Sequence, residues 1–433
     1  MELVNRRNFL LLILYLISFL AFLSLSAWSD GFHGFSNMGF VIQTKIIIKF
    51  ISFSVAIVFL FKYSRLINQY IRTPYLEIFL FYIVASFSLL YTPDFTYSMF
   101  WLTEHIGYFI FSLVIVINIS QRAKTPEDIL KFGINLILYG LGLLVLITWL
   151  VAFIAPEYAF RHLIGNITGL GGSIIHVHTL AIISSIIYGV NMCRLFGFES
   201  GNKIINLTVS IIMLLTIYLT HSRTGILIVL VITMMIVYQS HKNYIKILFY
   251  ALLSSIGMIF LIMNLDAVVE LILRGQNLEE LLSLTERTTF WKVLIVDTLS
   301  ESPILGYGYQ MMSYDGLSKN FTDLGYSRSN AHNTFIQTFV GLGLVGLMLL
   351  LYHLLKVIQC FNYVNKRISE NVKERVFELK IIVVICILAS LTQYGIVGIT
   401  TPVVPIYLMA IMLITYLRVI LVGSFHSKRE LNS

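Results

Sequence analysis

A chain of 433 residues that is 58% hydrophobic and only 12% charged, with a mean hydropathy of +0.85, cannot cover a soluble fold, where about a quarter of residues are charged. Its formal net charge of +8, from 30 Lys and Arg against 22 Asp and Glu, follows the side of a membrane on which basic residues collect, so no nucleic-acid partner is read from it. Lipids are its expected surroundings.

Windows of about 20 apolar residues span a bilayer core. About twelve follow one another, near 9–28, 46–62, 76–92, 99–119, 129–154, 173–193, 204–221, 224–240, 244–264, 331–358, 379–399 and 402–423. The first follows Arg6 and Arg7, exceeds a signal-peptide apolar region in length and reads as a retained anchor. Pro74, Pro93, Pro126, Pro156, Pro303, Pro402 and Pro405 fall at or outside run ends, where a missing N–H does no harm. With the N-terminus inside, the outward basic residues are Lys45, Lys49, Arg161, Arg223, Arg274, Arg287, Lys292, Lys319 and Arg328, leaving about 21 of 30 inside. Both termini are then cytoplasmic. Cys193, Cys360 and Cys386 lie in runs or at their inner ends, so neither an outer disulfide nor a metal site is expected. The chain reads as one integral-membrane domain over 1–433, an all-α polytopic helix bundle with a long helical extracytoplasmic loop at 265–330.

That loop is far longer than the usual connection between bundle helices. Leucines at helical spacing over 271–284 predict an interfacial amphipathic helix, and a second helix runs from Thr285 as cap to about Leu299. Gly306-Tyr307-Gly308 reads as a turn. Gly341-Leu342-Gly343-Leu344-Val345-Gly346 fits the dinucleotide pattern, but lies inside a span with no strand before it, and predicts tight helix packing.

The polar residues of the outer boundary carry the functional reading. His221-Ser222-Arg223-Thr224-Gly225 joins two spans almost without a loop, placing a guanidinium at the bundle mouth. Arg287, Trp291 and Lys292 share the loop helix. Arginine forks grip phosphate oxygens bidentately without a metal, and the outer segments hold no D-x-D or E-x-D pair. His332 and Asn333 begin the tenth run, and a histidine there suits a general base. Arg161, His176, His178, His221, Trp291, Arg328 and Asn333 are expected to line the same outer cavity.

Three segments, in this order, resemble the O-antigen ligase and O-antigen, capsule or exopolysaccharide polymerase superfamily of bacterial envelope enzymes. They are Ser222-Arg223-Thr224-Gly225, then Glu286-Arg287 through Trp291 to Pro303-x-x-Gly306-x-Gly308, then Ala331-His332-Asn333-Thr334-Phe335 with Gly341, Gly343 and Gly346, all within about 205–360. The resemblance implies a membrane-embedded, GT-C-like glycosyltransferase of the cytoplasmic (inner) membrane, metal-independent, inverting and without a cofactor. It would move a glycan from undecaprenyl diphosphate to a carbohydrate acceptor at the outer face. Carried over, Arg223 and Arg287 hold the diphosphate and His332 activates the acceptor hydroxyl. Repeat-unit polymerisation is the preferred activity; the alternative is ligation to lipid A-core. A chain-length regulator and a flippase are implied partners. A different class, a transporter or flippase of lipid-linked sugars, would place charged or proline-broken positions at helix midplanes, whereas here they gather at the outer boundary.

Overall fold

The computed structural model describes residues 53–162 (apart from 55, 59, 64–66 and 68–69), 168–171, 175–197, 202–239, 287–311, 331–393, 395–397 and 402–430. The first predicted span, that of 244–264, the interfacial helix of 271–284, and Arg328 lie outside these residues, as does most of the predicted loop.

The described elements are, in chain order, α1 (Tyr75–Phe87), α2 (Phe95–Arg122), α3 (Pro126–Ile154), α4 (Pro156–Ala159), β1 (Phe160–His162), β2 (Thr168–Leu170), α5 (Val177–Phe196), α6 (Lys203–Leu219), α7 (Arg223–Gln239), α8 (Arg287–Glu301), α9 (Thr334–Asn365), α10 (Glu370–Thr392) and α11 (Val403–Glu430). Among the described residues, α2, α3, α5, α9 and residues 403–422 of α11 are long and apolar enough to cross a membrane, and α6 and α7 are shorter apolar helices. The protein is a mostly helical membrane protein. Among the described residues it departs from an all-α reading at the small antiparallel hairpin of β1 and β2, which pairs Phe160 with Leu170 and His162 with Thr168. Just beyond β2, Gly171, with φ of 115°, donates its N–H to Ala159 O at 2.8 Å.

Local signals start the helices. Asp94 accepts the Tyr97 N–H at the head of α2. Thr125 and Asp128 form a reciprocal capping box at α3, with Pro126 in the first turn, where its lost N–H would have no partner anyway. Asn202 accepts the amides of Ile204 and Ile205 to start α6. Pro405, inside the twelfth predicted run, falls in the first turn of α11 and is tolerated for the same reason.

Helix α11 is apolar and buried all round from Val403 to Ile414, as the central helix of a large bundle must be. The surrounding helices expose lipid-compatible stripes instead, such as Ile204, Leu207, Ile211 and Leu215 on α6. One end of the bundle gathers Arg122, Lys124, Lys203, Lys366 and Arg367 at or beyond helix termini. The other carries Asp94, His176, Arg223 and Asn333 at helix starts.

Helix α10 differs from its expected limits. Hydropathy places it at 379–399, but the helix runs from Glu370 to Thr392. The charges that hydropathy rejects are satisfied inside the bundle: Glu378 accepts from Arg375 at 2.7 Å and from Arg194 of α5 at 3.0 Å, and Arg194 also reaches Asn135 of α3 at 2.8 Å.

Candidate active site

The Arg194–Glu378 pair sets the register of α5 against α10, which run antiparallel. From it α5 leads about 24 Å back to His178 and α10 about 21 Å on to Thr392, at 1.5 Å per residue. The start of α5 and the end of α10 therefore stand level, away from the basic end. Helix α7 joins them there. A methyl on Gly225 would lie 2.8 Å from Ala181 Cβ, so only glycine lets α7 approach α5 this closely, and His178 Nδ1 hydrogen-bonds Ser222 Oγ at 3.2 Å.

The turn before α7 follows from its residues. His221 has φ of 51°, a left-handed conformation that histidine tolerates better than branched residues. Ser222 then caps the helix, its Oγ accepting the Gly225 N–H at 3.3 Å, and is fully buried. Arg223 is the first helical residue. A cation there opposes the positive end of the helix dipole, at a cost of about 0.3–1 kcal/mol, so local helix stability does not select it. An anion at that place would be held by the guanidinium and the helix end together.

Helix α9 starts on the same plan. His332 has φ of 46°, and Asn333 Oδ1 accepts the amides of Phe335 at 2.9 Å and Ile336 at 3.2 Å. This turn is laced to its neighbours. Trp291 of α8 donates its indole N–H to Ala331 O at 2.7 Å, which makes it an anchor for the histidine segment. The last carbonyls of α10, which no helical amide can reach, are taken up here: Asn333 Nδ2 donates to Leu391 O at 3.1 Å, Arg287 Nη1 to Thr392 O at 3.0 Å and Thr334 Oγ1 to Gln393 O at 3.4 Å. His332 Nδ1 meets Gln393 Oε1 at 3.3 Å. Arg287 and His332 thus converge on adjacent residues, and Thr392 Oγ1 beside them is buried without a hydrogen-bond partner.

The glycine run of α9 is a backbone junction, where tight packing of whole helices was expected. Gly343 breaks the helix with φ of 61° and ψ of −159°, and the segment after α8 docks into the break. Tyr307 N–H donates to Val340 O, Gly308 N–H to Gly341 O and Leu344 N–H to Pro303 O, each at 2.8–2.9 Å, and Val345 N–H to Ile304 O at 3.2 Å. A Cβ on Gly306 would come within 2.6 Å of three backbone atoms of this run, and one on Gly343 would collide with the Ile304 carbonyl. The Pro303–Gly308 and Gly341–Gly346 patterns are two halves of one joint. Residues 337–343 are buried, and the lipid-compatible stripe of Leu344, Met348, Leu351, Leu355 and Ile358 starts only beyond it. The remaining 344–365 is about 33 Å long, enough for the hydrocarbon core by itself.

Arg161 stands exposed on β1. Burial first, then the charge of Arg161, lowers the His176 pKa to about 4, so His176 is neutral at pH 7 and adds no cation. Its ring centroid is 5.2 Å from that of His178. The His221 ring lies 6.1 Å from that of Tyr218. Tyr307, between α8 and α9, has its phenol pKa raised by burial and by its 2.7 Å bond to Asp297. Sequence reasoning missed Gln393. The one signal was a Thr-Gln pair interrupting the apolar run of 379–399.

Residues 208–351 match the family model described as O-antigen ligase, so the resemblance read from the sequence holds over this segment, which includes Arg223, Arg287, His332 and both halves of the glycine joint. A search of curated proteins returned no match.

Proposed function

We propose that this membrane protein, O-antigen ligase-like over residues 208–351, transfers a glycan from undecaprenyl diphosphate to a sugar hydroxyl at the outer face of the cytoplasmic membrane, polymerising repeat units. The observation that carries the reading is the meeting of Arg287 and His332 on the end of α10, level with the α7 start where Arg223 stands against the helix dipole. Outward orientation of this end is supported by the basic residues gathered at the other.

In the proposed reaction His332 takes the acceptor hydroxyl proton, and the oxygen attacks the anomeric carbon as its bond to the diphosphate breaks. Undecaprenyl diphosphate departs with the bonding electrons, and the configuration inverts. Arg223 and Arg287 meet negative charge that grows on the leaving group, where a fixed donor does most for the rate. Arginine forks bind both phosphates without a divalent ion. The buried segment of α9 and the joint above the lipid-facing stripe help keep water from the donor.

The description of the matched family favours a second reading, ligation, which differs in acceptor and not in donor chemistry. Purified protein in liposomes, given lipid-linked repeat units extracted from the host and excess chelator, should produce a ladder of lipid-linked oligomers. Product only on addition of lipid A-core would establish the ligase reading. No product with either acceptor, or a requirement for a metal ion, would overturn the proposed chemistry.

A further inference from the structure

We infer that Gln393 is a positioning residue for His332, fixing which ring nitrogen carries the proton. The inference rests on the proposed role of His332 as base. A carboxamide oxygen only accepts, so the Nδ1 facing Gln393 Oε1 at 3.3 Å is the protonated nitrogen and the lone pair lies on Nε2. A base needs that lone pair unprotonated and aimed.

Both partners are held from the backbone. Gln393 is 7% exposed; its N–H donates to Ala389 O at 2.8 Å and its own O accepts from Thr334 Oγ1 at 3.4 Å. Thr334 Oγ1 in turn accepts the Gly395 N–H at 3.0 Å, and Asn333 ties the preceding turn to Leu391 O. Residues 332–334 and 391–395 are therefore stitched on both sides of the imidazole–amide contact, which restricts the ring where the positive φ of His332 already limits the backbone.

The amide also suits its charged neighbour. Arg287 donates to the carbonyl of the adjacent Thr392, so a carboxylate at 393 would draw the guanidinium into an ion pair and away from a diphosphate. A neutral acceptor orients the histidine without adding a negative charge beside Arg287. Arg287, from α8, is the charged group on the same helix end; the described outer turns of α9 and α10 contribute none.

The test uses purified full-length protein and host-extracted lipid-linked repeats, with undecaprenyl diphosphate alone as the donor-site probe. Gln393→Met should lower kcat at least about ten-fold, a part of the general-base contribution, with affinity for undecaprenyl diphosphate unchanged. Gln393→Glu should move the acid limb of its pH profile upward because a carboxylate favours the imidazolium, and weaken the probe. In a His332→Ala background, Gln393→Met should cost nothing further, since the pair acts as a unit. If His332→Ala retains full turnover, the base reading itself fails. If His332→Ala is inactive while Gln393→Met keeps wild-type kcat, or if Gln393→Met folds poorly and Gln393→Glu leaves the pH profile unmoved, the Gln393 inference alone is overturned.

Discussion

The starts of α7 and α9 are built alike and tied down differently. Each has a left-handed histidine, then a polar residue capping the helix, then the helix itself. At α7 the cap Ser222 meets His178 of α5 and takes the Gly225 N–H. At α9 the same plan is bonded to α8 and α10 through Ala331, His332, Asn333 and Thr334. The difference follows the proposed tasks. Coulomb attraction falls slowly with distance, whereas proton transfer needs its base within hydrogen-bond reach and correctly turned.

The sharpest break in the comparison comes from removing the two groups. His332→Ala should reduce transfer by about 100-fold to 10,000-fold while undecaprenyl diphosphate still binds, and His332→Gln should not restore it, because an amide cannot take the proton. Arg223→Ala should cost about 100-fold or more in transfer and weaken donor binding as well, with lysine a poor substitute for the bidentate fork. Binding and turnover measured side by side decide it: the same pattern from both variants would dissolve the division of labour. Next is Gly343→Ala, which puts a Cβ at φ of 61° against the Ile304 carbonyl. We expect about 1–3 kcal/mol of destabilisation in detergent unfolding and loss of transfer with it; an unchanged protein would show that the joint does not hold α9. Ser222→Ala and Asn333→Ala should each remove about 1 kcal/mol of capping, but only Asn333→Ala should also lower kcat at unchanged donor affinity, since only that cap reaches α10.

The smallest expected effect concerns acid. His176 folds with a pKa of about 4 against an unfolded value near 6.5, so the unfolded chain binds the extra proton. Stability is full above the unfolded value and falls as pH drops through the window between the two, by about 1 kcal/mol from pH 7 to 5.5. His176→Gln should flatten that slope, and an unchanged slope would assign it to other groups.

Much of the bundle was legible as hydropathy. Runs at 99–119, 129–154, 204–221 and 224–240 became α2, α3, α6 and α7 with ends moved by a few residues, because lipid contact writes itself into composition. The limits of α10 were not, since Glu378 pairs inside the bundle with both Arg375 and Arg194 of a distant helix. Arg223, Arg287 and His332 stood out as polar groups at apolar boundaries. Gln393 did not: its meaning lies in a histidine 61 residues away, and an uncharged amide at a helix end is otherwise unremarked. The strand 168–170 and the joint at Gly343 were hidden for a related reason, since glycine permits many conformations and the partner backbone selects one.

The joint has a consequence for how the chain assembles. Helix α8 is fastened to α9 near both its ends, by Trp291 on Ala331 and by the segment of 303–308 on 340–345, all within one stretch of chain. The arginine contact to Thr392 bridges 105 residues, and Tyr91 reaches Leu305 across 214. Contacts between nearby residues close first, because less chain entropy is lost. The Trp291–Ala331 bond can therefore form once α9 follows α8, whereas the bonds of Arg287, His332, Asn333 and Thr334 to the end of α10 wait until α10 has followed. Chains truncated after residue 365 and released from the ribosome should already protect α8 from protease; protection only in the full-length chain would reverse that order.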